Sequence, residues 1–401
     1  MELEVPPLPD QSAPLDVARL MEPKGFSSVA KNVGIKDATL DFTVVFSEVP
    51  SAAAAVFTRN TFCGHPVTVG REHIRDGQLQ AVVVNSKNAN VATGPAGLEA
   101  TREICRLVAG ALAIRSADVF PCSTGVIGRP LPLDRIRAGI EGIRGELRPG
   151  ELGRFATAIL TTDTRPKLRR VPIGDAVLVG CCKGSGMIEP DMATMLAFFF
   201  TDARIEARAL DHALRTAVDR SFNMVSVDSD TSTSDTAVIL ANGLAGDVPV
   251  DAFTAALTAM AEELAQEVAR DGEGATKLLE VSVSGAPDVS VARRVAKQVV
   301  NSPLVKSAIW GGDPNWGRVA MAIGKAFDLP LNPDRVVIRF GGVAVYAGRD
   351  LGPEPLEALR TYLQGDTVAI GVDLALGQAH ARVWGCDLSP EYVRLNGEYT
   401  T

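Results

Sequence analysis

Apolar residues recur along the chain with two distinct periods, and their interleaving predicts an α/β protein. In Asp251–Arg270, Phe253, Leu257, Met260, Leu264 and Val268 follow one another at steps of 4, 3, 4 and 4. That spacing puts them on one face of a helix. Asp251 is placed to cap its start and Gly272 to follow its end. Leu98, Ile104, Cys105, Val108 and Leu112 mark a second amphipathic helix, and Leu210, Leu214 and Val218 a third. Short Val-rich runs at Phe42–Phe46, Ala81–Val84 and Ala176–Gly180 predict buried strands. Strict alternation in Leu279–Val283, Arg335–Phe340 and Thr367–Leu374 predicts strands with one exposed face, in an antiparallel or mixed sheet. No repeat of 20–50 residues is present. Proline-bearing stretches at 145–150 and 326–333 are the candidate hinges, and residues 1–23 read as a loose N-terminal extension.

Composition narrows the partners. At ~150 residues per domain, 401 residues correspond to roughly two or three domains or one large body. Hydrophobic residues make up 46% and charged residues 22%, which excludes a disordered chain. The net charge of −8 argues against nucleic acid, whose phosphates are met by Lys and Arg. No run reaches the ~18 apolar residues of a membrane span. The opening Met1-Glu2-Leu3-Glu4 lacks the basic start of a signal peptide. The six cysteines form no C-x-x-C pair, and His65, His73, His212 and His380 are scattered. These features point to a cytoplasmic protein with small-molecule partners, no metal and no cofactor.

The most unusual segment is Lys183–Phe200, KGSGMIEPDMATMLAFFF, a glycine-bearing loop held between two apolar strands. Its spacing fits neither G-x-G-x-x-G nor a P-loop, and no helix is expected after it. Two readings remain: an ordinary tight turn, or a loop presenting Thr194 as a nucleophile. A threonine at the head of a strand is most often structural, because β-branched residues favour strands. The chain also lacks a G-x-S-x-G elbow and any Cys–His or Ser–His arrangement. A hydroxyl without a histidine needs another base, and a free N-terminal amine with a pKa of roughly 7.7–8.0 is one solution. Thr194 would gain that amine only if the bond after the small Ala193 were cut.

Lys183–Leu196 resembles the self-processing segment of the ornithine acetyltransferase family, the glutamate N-acetyltransferases of the cyclic arginine pathway. The resemblance covers nearly the whole chain. It includes PKGF at 23–26, NSKNAN at 85–90, STGVIG at 123–128, TTDT at 161–164 and DSDTSTSD at 228–235. It continues through DGEGATK at 271–277, NSPLVK at 301–306, DPNWGR at 313–318 and NGEYTT at 396–401. Lys87 stands where a glycine is usual, and the first twenty or so residues match nothing.

The resemblance implies cleavage between Ala193 and Thr194, giving an α chain (24–193 after the extension) and a β chain (194–401). Thr194 would be the acyl-accepting nucleophile, with the Thr124 hydroxyl and the Gly125 N–H stabilising the oxyanion. Thr161, Lys183, Thr194, Glu273, Asn396 and Thr401 map onto substrate-binding positions. Glu273 and the Thr401 carboxylate suit the side-chain ammonium of ornithine. The implied fold is a layered α/β sandwich of mixed sheets flanked by helices, shared with self-cleaving aminopeptidases. The implied assembly is a heterotetramer of two α and two β chains. The implied reaction moves acetyl from N-acetylornithine to glutamate by a ping-pong route, with acetyl-CoA as a further candidate donor. Two rivals keep their place: a self-cleaving amidase or aminopeptidase, and a non-catalytic amino-acid-binding protein. Asp228, Asp230 and Asp235 read either as a cation site or, preferably, as a hydrogen-bonded turn beside the nucleophile. DPNWGR reads as a structural corner, with Asn315 and Arg318 able to shape the site.

Overall fold

The structure, a computed structural model, describes residues 21–36, 38–189 and 195–398. Thirteen strands form two mixed sheets among the described residues. The larger holds β1 (Phe26–Lys31), β2 (Phe42–Phe57), β3 (Gln78–Asn85), β4 (Val119–Ser123), β5 (Lys167–Ile173), β6 (Ala176–Lys183), β7 (Leu196–Arg204) and β8 (Thr236–Asp247). Its order is β4-β3-β2-β8-β7-β6-β5, with β1 against the first half of β2. The smaller holds β9 (Leu278–Ala286), β10 (Val337–Phe340), β11 (Val343–Ala347), β12 (Thr367–Asp373) and β13 (Ala379–Cys386), ordered β11-β10-β12-β9-β13.

The first half of strand β7, Leu196–Phe200, is continuously apolar rather than alternating, and its packing shows why. Phe198 and Phe200 enter one cluster, where both meet the Phe155 ring edge-on at centroid distances of 5.0 and 5.8 Å. Phe199 faces the opposite side of the sheet and packs near Phe222. All three are fully buried, and each contributes about 1.5–3 kcal/mol by leaving water. Covered on both faces, Leu196–Phe200 has no alternating polar position, and the buried Thr201 and Asp202 that follow are satisfied by accepting from the Ala203 and Val177 N–H groups. In β12, by contrast, buried and half-buried residues alternate, as the smaller sheet's pattern predicts.

The helix over Val250–Arg270 joins the two sheets, packing against β5 and β6 on one side and β9 and β13 on the other. Phe253, Leu257, Met260, Leu264 and Val268 are all buried, as their spacing requires. Asp251 is not its cap: Pro249 occupies that position, and Asp251 falls in the first turn, where a carboxylate complements the helix dipole. The expected start of β10 at Arg335 is also displaced, because Pro333–Arg335 close a 3-10 turn first. The other two expected helices span Gly94–Leu112 and Ala207–Arg220. Of the two candidate hinges, 145–150 is tied to β1 by paired Ser28 and Arg148 backbone bonds, and 326–333 buries Ala326 in the core. No helix among the described residues is long and apolar enough to cross a membrane.

Candidate active site

One wall of the site grows from the end of β4. Thr124 follows Ser123, and its backbone N–H donates to Asn85 O at 3.1 Å, so its hydroxyl is the donor left to offer. Gly125 has φ +130° and lies so close to the neighbouring loop that a Cβ would sit 2.3 Å from the carbonyl carbon of Lys87. Only glycine fits there. The NSKNAN motif is the scaffold for this turn: Asn88 bridges to both Thr124 and Val126, and Asn85 Nδ2 donates to Asn88 O at 2.8 Å. Lys87 itself has φ +72°, the backbone that a glycine would adopt freely.

Lys183 closes β6 and is 9% exposed. Its ammonium donates to Thr124 Oγ1 at 3.3 Å. Since an ammonium only donates, the Thr124 hydroxyl accepts this bond and keeps its own proton free for another acceptor. Beneath Lys183 lies Asp163, whose side chain is fully buried. Its Oδ1 accepts from Lys167 Nζ at 2.7 Å and from the Gly184 N–H at 2.6 Å. Burial pushes this carboxyl up, but the charges of Lys167 and Lys183 outweigh it and hold it at about 2. Burial likewise pulls Lys167 down, and the carboxylates of Asp163 and Asp271 reverse that and raise it.

The opposite wall is acidic. The Glu273 N–H donates to Ser185 O at 2.9 Å, and its Oε2 accepts from Asn396 Nδ2 at 2.9 Å. A Cβ on Gly186 would stand 2.4 Å from the Glu273 carboxyl carbon, so that glycine makes room for the carboxylate. Asn396 comes from the helix Pro390–Glu398, which carries no buried residue. Tyr392, one turn earlier, also lines the site. Burial first, then the charges of Asp228, Glu273 and Asp230, push its phenol up to about 12, so it stays a neutral donor.

These walls enclose one cavity of about 220 Å³ that collects Thr124, Gly125, Thr161, Lys183, Glu273 and Asn396. The candidate oxyanion and substrate-binding residues within the described residues therefore meet in one place. Ala193, Thr194 and Thr401 lie outside the described residues. A smaller cavity, about 20 Å³, adjoins Thr124 and Lys183 and is walled in part by Ile188, Met195 and Leu196, on either side of the 193–194 junction in sequence. The volume is below the ~300–1,000 Å³ of drug-sized pockets, which suits a small metabolite. A cation on one side and carboxylates on the other suit a molecule carrying charges of both signs.

The DSDTSTSD segment forms a hydrogen-bonded turn. Asp228 accepts from the N–H groups of Met187 (2.6 Å) and Ile188 (2.7 Å), and Asp230 O accepts from the Glu189 N–H at 2.8 Å. Burial pushes the Asp228 carboxyl up despite these bonds. Among the described residues no group of three His, Cys, Asp or Glu side chains is placed to share a metal ion. DPNWGR stands away from the cavity lining. Asn315 caps the helix Trp316–Ile323, and Arg318 Nη1 donates to Leu304 O at 2.7 Å, so neither residue shapes the site. Tyr392, Asp163 and Lys167 escaped the sequence reading. Tyr392 had a signal, being one helical turn from Asn396.

A family model described as the ArgJ family matches residues 27–401. The chain belongs to the ArgJ family. Its curated relatives in that family include "Arginine biosynthesis bifunctional protein ArgJ 2" of Nostoc sp., 51% identical over 380 residues, covering 94% of this chain and 98% of the relative. "Glutamate N-acetyltransferase Oat2" of Streptomyces clavuligerus is also 51% identical, over 385 residues, with the same coverage of 94% and 98%. Among solved structures, an ornithine acetyltransferase complexed with ornithine from Mycobacterium tuberculosis is 37% identical and covers 43% of this chain and 94% of that one, with a TM-score of 0.39. The ArgJ-family chain thus carries the expected layered α/β fold, with two mixed sheets flanked by helices.

Proposed function

We propose that this ArgJ-family protein is a glutamate N-acetyltransferase that takes acetyl from N-acetylornithine. The observation that carries the proposal is the convergence of Thr124, Gly125, Lys183 and Glu273 on one cavity beside Met195. Met195 follows Thr194 directly in the sequence.

In this reading the bond between Ala193 and Thr194 is cut, and the new α-amine of Thr194 serves as general base. The Thr194 hydroxyl attacks the acetyl carbonyl and passes its proton to that amine. The Thr124 hydroxyl and the Gly125 N–H donate to the oxyanion. Collapse breaks the amide C–N bond, the ammonium returns its proton to the leaving nitrogen, and ornithine departs. The amine of glutamate then attacks the acetyl ester, giving N-acetylglutamate and free Thr194. Lys183 pairs with the substrate α-carboxylate, and Glu273, with Asn396 and the Thr401 carboxylate, receives the ornithine ammonium. Acetyl-CoA is a further candidate donor in this reading. We place the enzyme in the cytoplasm, which fits its six unpaired cysteines, as an assembly of two α and two β chains.

Mass spectrometry of the purified protein tests the scheme. The expected result is two associated fragments, one beginning at Thr194, with Thr194→Ala remaining a single chain. N-acetylornithine alone should release ornithine and leave the 194–401 fragment heavier by one acetyl group, which glutamate then removes. Acetate released to water in place of N-acetylglutamate would identify an amidase. A wild-type chain that stays uncut and binds amino acids without turnover would overturn the enzyme reading.

A further inference from the structure

Buried charges outside the reaction scheme tie the two walls of the cavity together. Lys167 Nζ donates to Asp163 Oδ1 at 2.7 Å and to Asp271 Oδ2 at 2.5 Å, and all three side chains are at most 2% exposed. Asp163 also holds the Gly184 N–H, adjacent to Lys183. Asp271 accepts from both the N–H and the hydroxyl of Thr164 and stands two residues before Glu273. One end of this arrangement therefore fixes the backbone beside the cavity's cation, and the other fixes the backbone beside its carboxylate. Asp163 and Lys167 precede the 193–194 junction and Asp271 follows it.

A fully buried ammonium with two carboxylates is costly to desolvate and a poor way to gain stability, since apolar side chains of similar volume commonly do as well. Its worth lies in geometry, because such a cluster has one satisfied arrangement. Resting on the proposed acetyl transfer, we infer that Asp163, Lys167 and Asp271 form a positioning strut that sets Lys183 and Glu273 relative to each other across the cavity. The strut touches no reacting atom. Its effect is on the spacing of the two charges that read the substrate, and hence on the length of amino acid accepted.

A double-mutant cycle between Asp163 and Lys183 tests this, with KM and kcat for N-acetylornithine as readouts. Asp163→Asn should raise KM about 10- to 100-fold, the scale of a misplaced binding group, with a smaller change in kcat. In a Lys183→Met background the same substitution should change KM less than about two-fold, because the group it positions is gone. The preference for N-acetylornithine over N-acetyllysine, one methylene longer, should also narrow in Asp163→Asn. If Asp163→Asn does not fold, Thr164→Val, which removes only the hydroxyl tie to Asp271, should narrow the same preference in a folded protein. Multiplicative effects in the cycle, or a folded Asp163→Asn with wild-type KM and preference, would overturn the strut. A cleaved wild-type protein with no turnover would instead overturn the acetyl-transfer reading, and the strut with it.

Discussion

The two walls of the cavity are built in opposite ways. The wall of Thr124 and Gly125 rests on β4, with Thr124 buried and Gly125 half-buried, and is locked by a glycine whose backbone leaves no room for a side chain. The wall of Glu273 and Asn396 joins a half-buried loop to a terminal helix with no buried residue. Charge developing on an oxyanion is stabilised only by donors already in place, because a donor that must reorganise costs what it returns. Reading a side chain tolerates adjustment, and two substrates with oppositely charged side chains, as in the proposed cycle, require it. In the proposed cycle, rigidity would sit where the bond is made, and adaptability where the substrate is recognised.

Thr124→Val should have the largest effect. It keeps the β-branched shape and removes the donor, so acetyl transfer should fall about 10²–10³-fold in kcat with little change in KM. Steady-state kinetics on the cleaved variant check this, and a KM effect without a kcat effect would erase the contrast between the walls. Glu273→Gln should act the other way round. Losing a charged partner for an ammonium is worth about 1.5–3 kcal/mol, so KM for N-acetylornithine should rise about 10- to 100-fold. KM for glutamate should rise far less, which competition experiments would reveal.

The smallest expected effect is on acid stability beneath the rigid wall. The Asp163 carboxyl is held at about 2 against an ordinary 3.8. A depressed carboxyl stabilises the fold above its unfolded value, and that contribution is lost as pH falls from about 4 towards 2. Urea midpoints measured across this window should drop more steeply for wild type than for a folded Asp163→Asn, and parallel slopes would count against the assignment.

Much of the fold was legible because burial imposes a period. The helix Val250–Arg270 announces itself by spacing, and Phe198–Phe200 by leaving no polar position. Strand order was not legible, since β2 finds β8 and β6 finds β7 through contacts that no local pattern encodes. The site divides similarly. Gly125 and Glu273 stand inside recognisable motifs, and so does Asp163, but the pairing of Asp163 with Lys167 acquires meaning only through Asp271, 104 residues beyond Lys167. The Asp251 cap misled because proline at 249 already fixes the chain's entry into the helix.

Strands β7 and β8 lie between β2 on one side and β6 on the other, with Lys183 paired to Leu196 across the 193–194 junction. Cutting the backbone there would leave the native state almost untouched and change its return from the unfolded state. Refolding of an intact chain is first order and indifferent to dilution. After the cut, two polypeptides must find each other before the middle of the sheet can form, so recovery becomes second order and slows as concentration falls. The matured molecule would then persist by the height of its unfolding barrier and by how seldom the sheet opens.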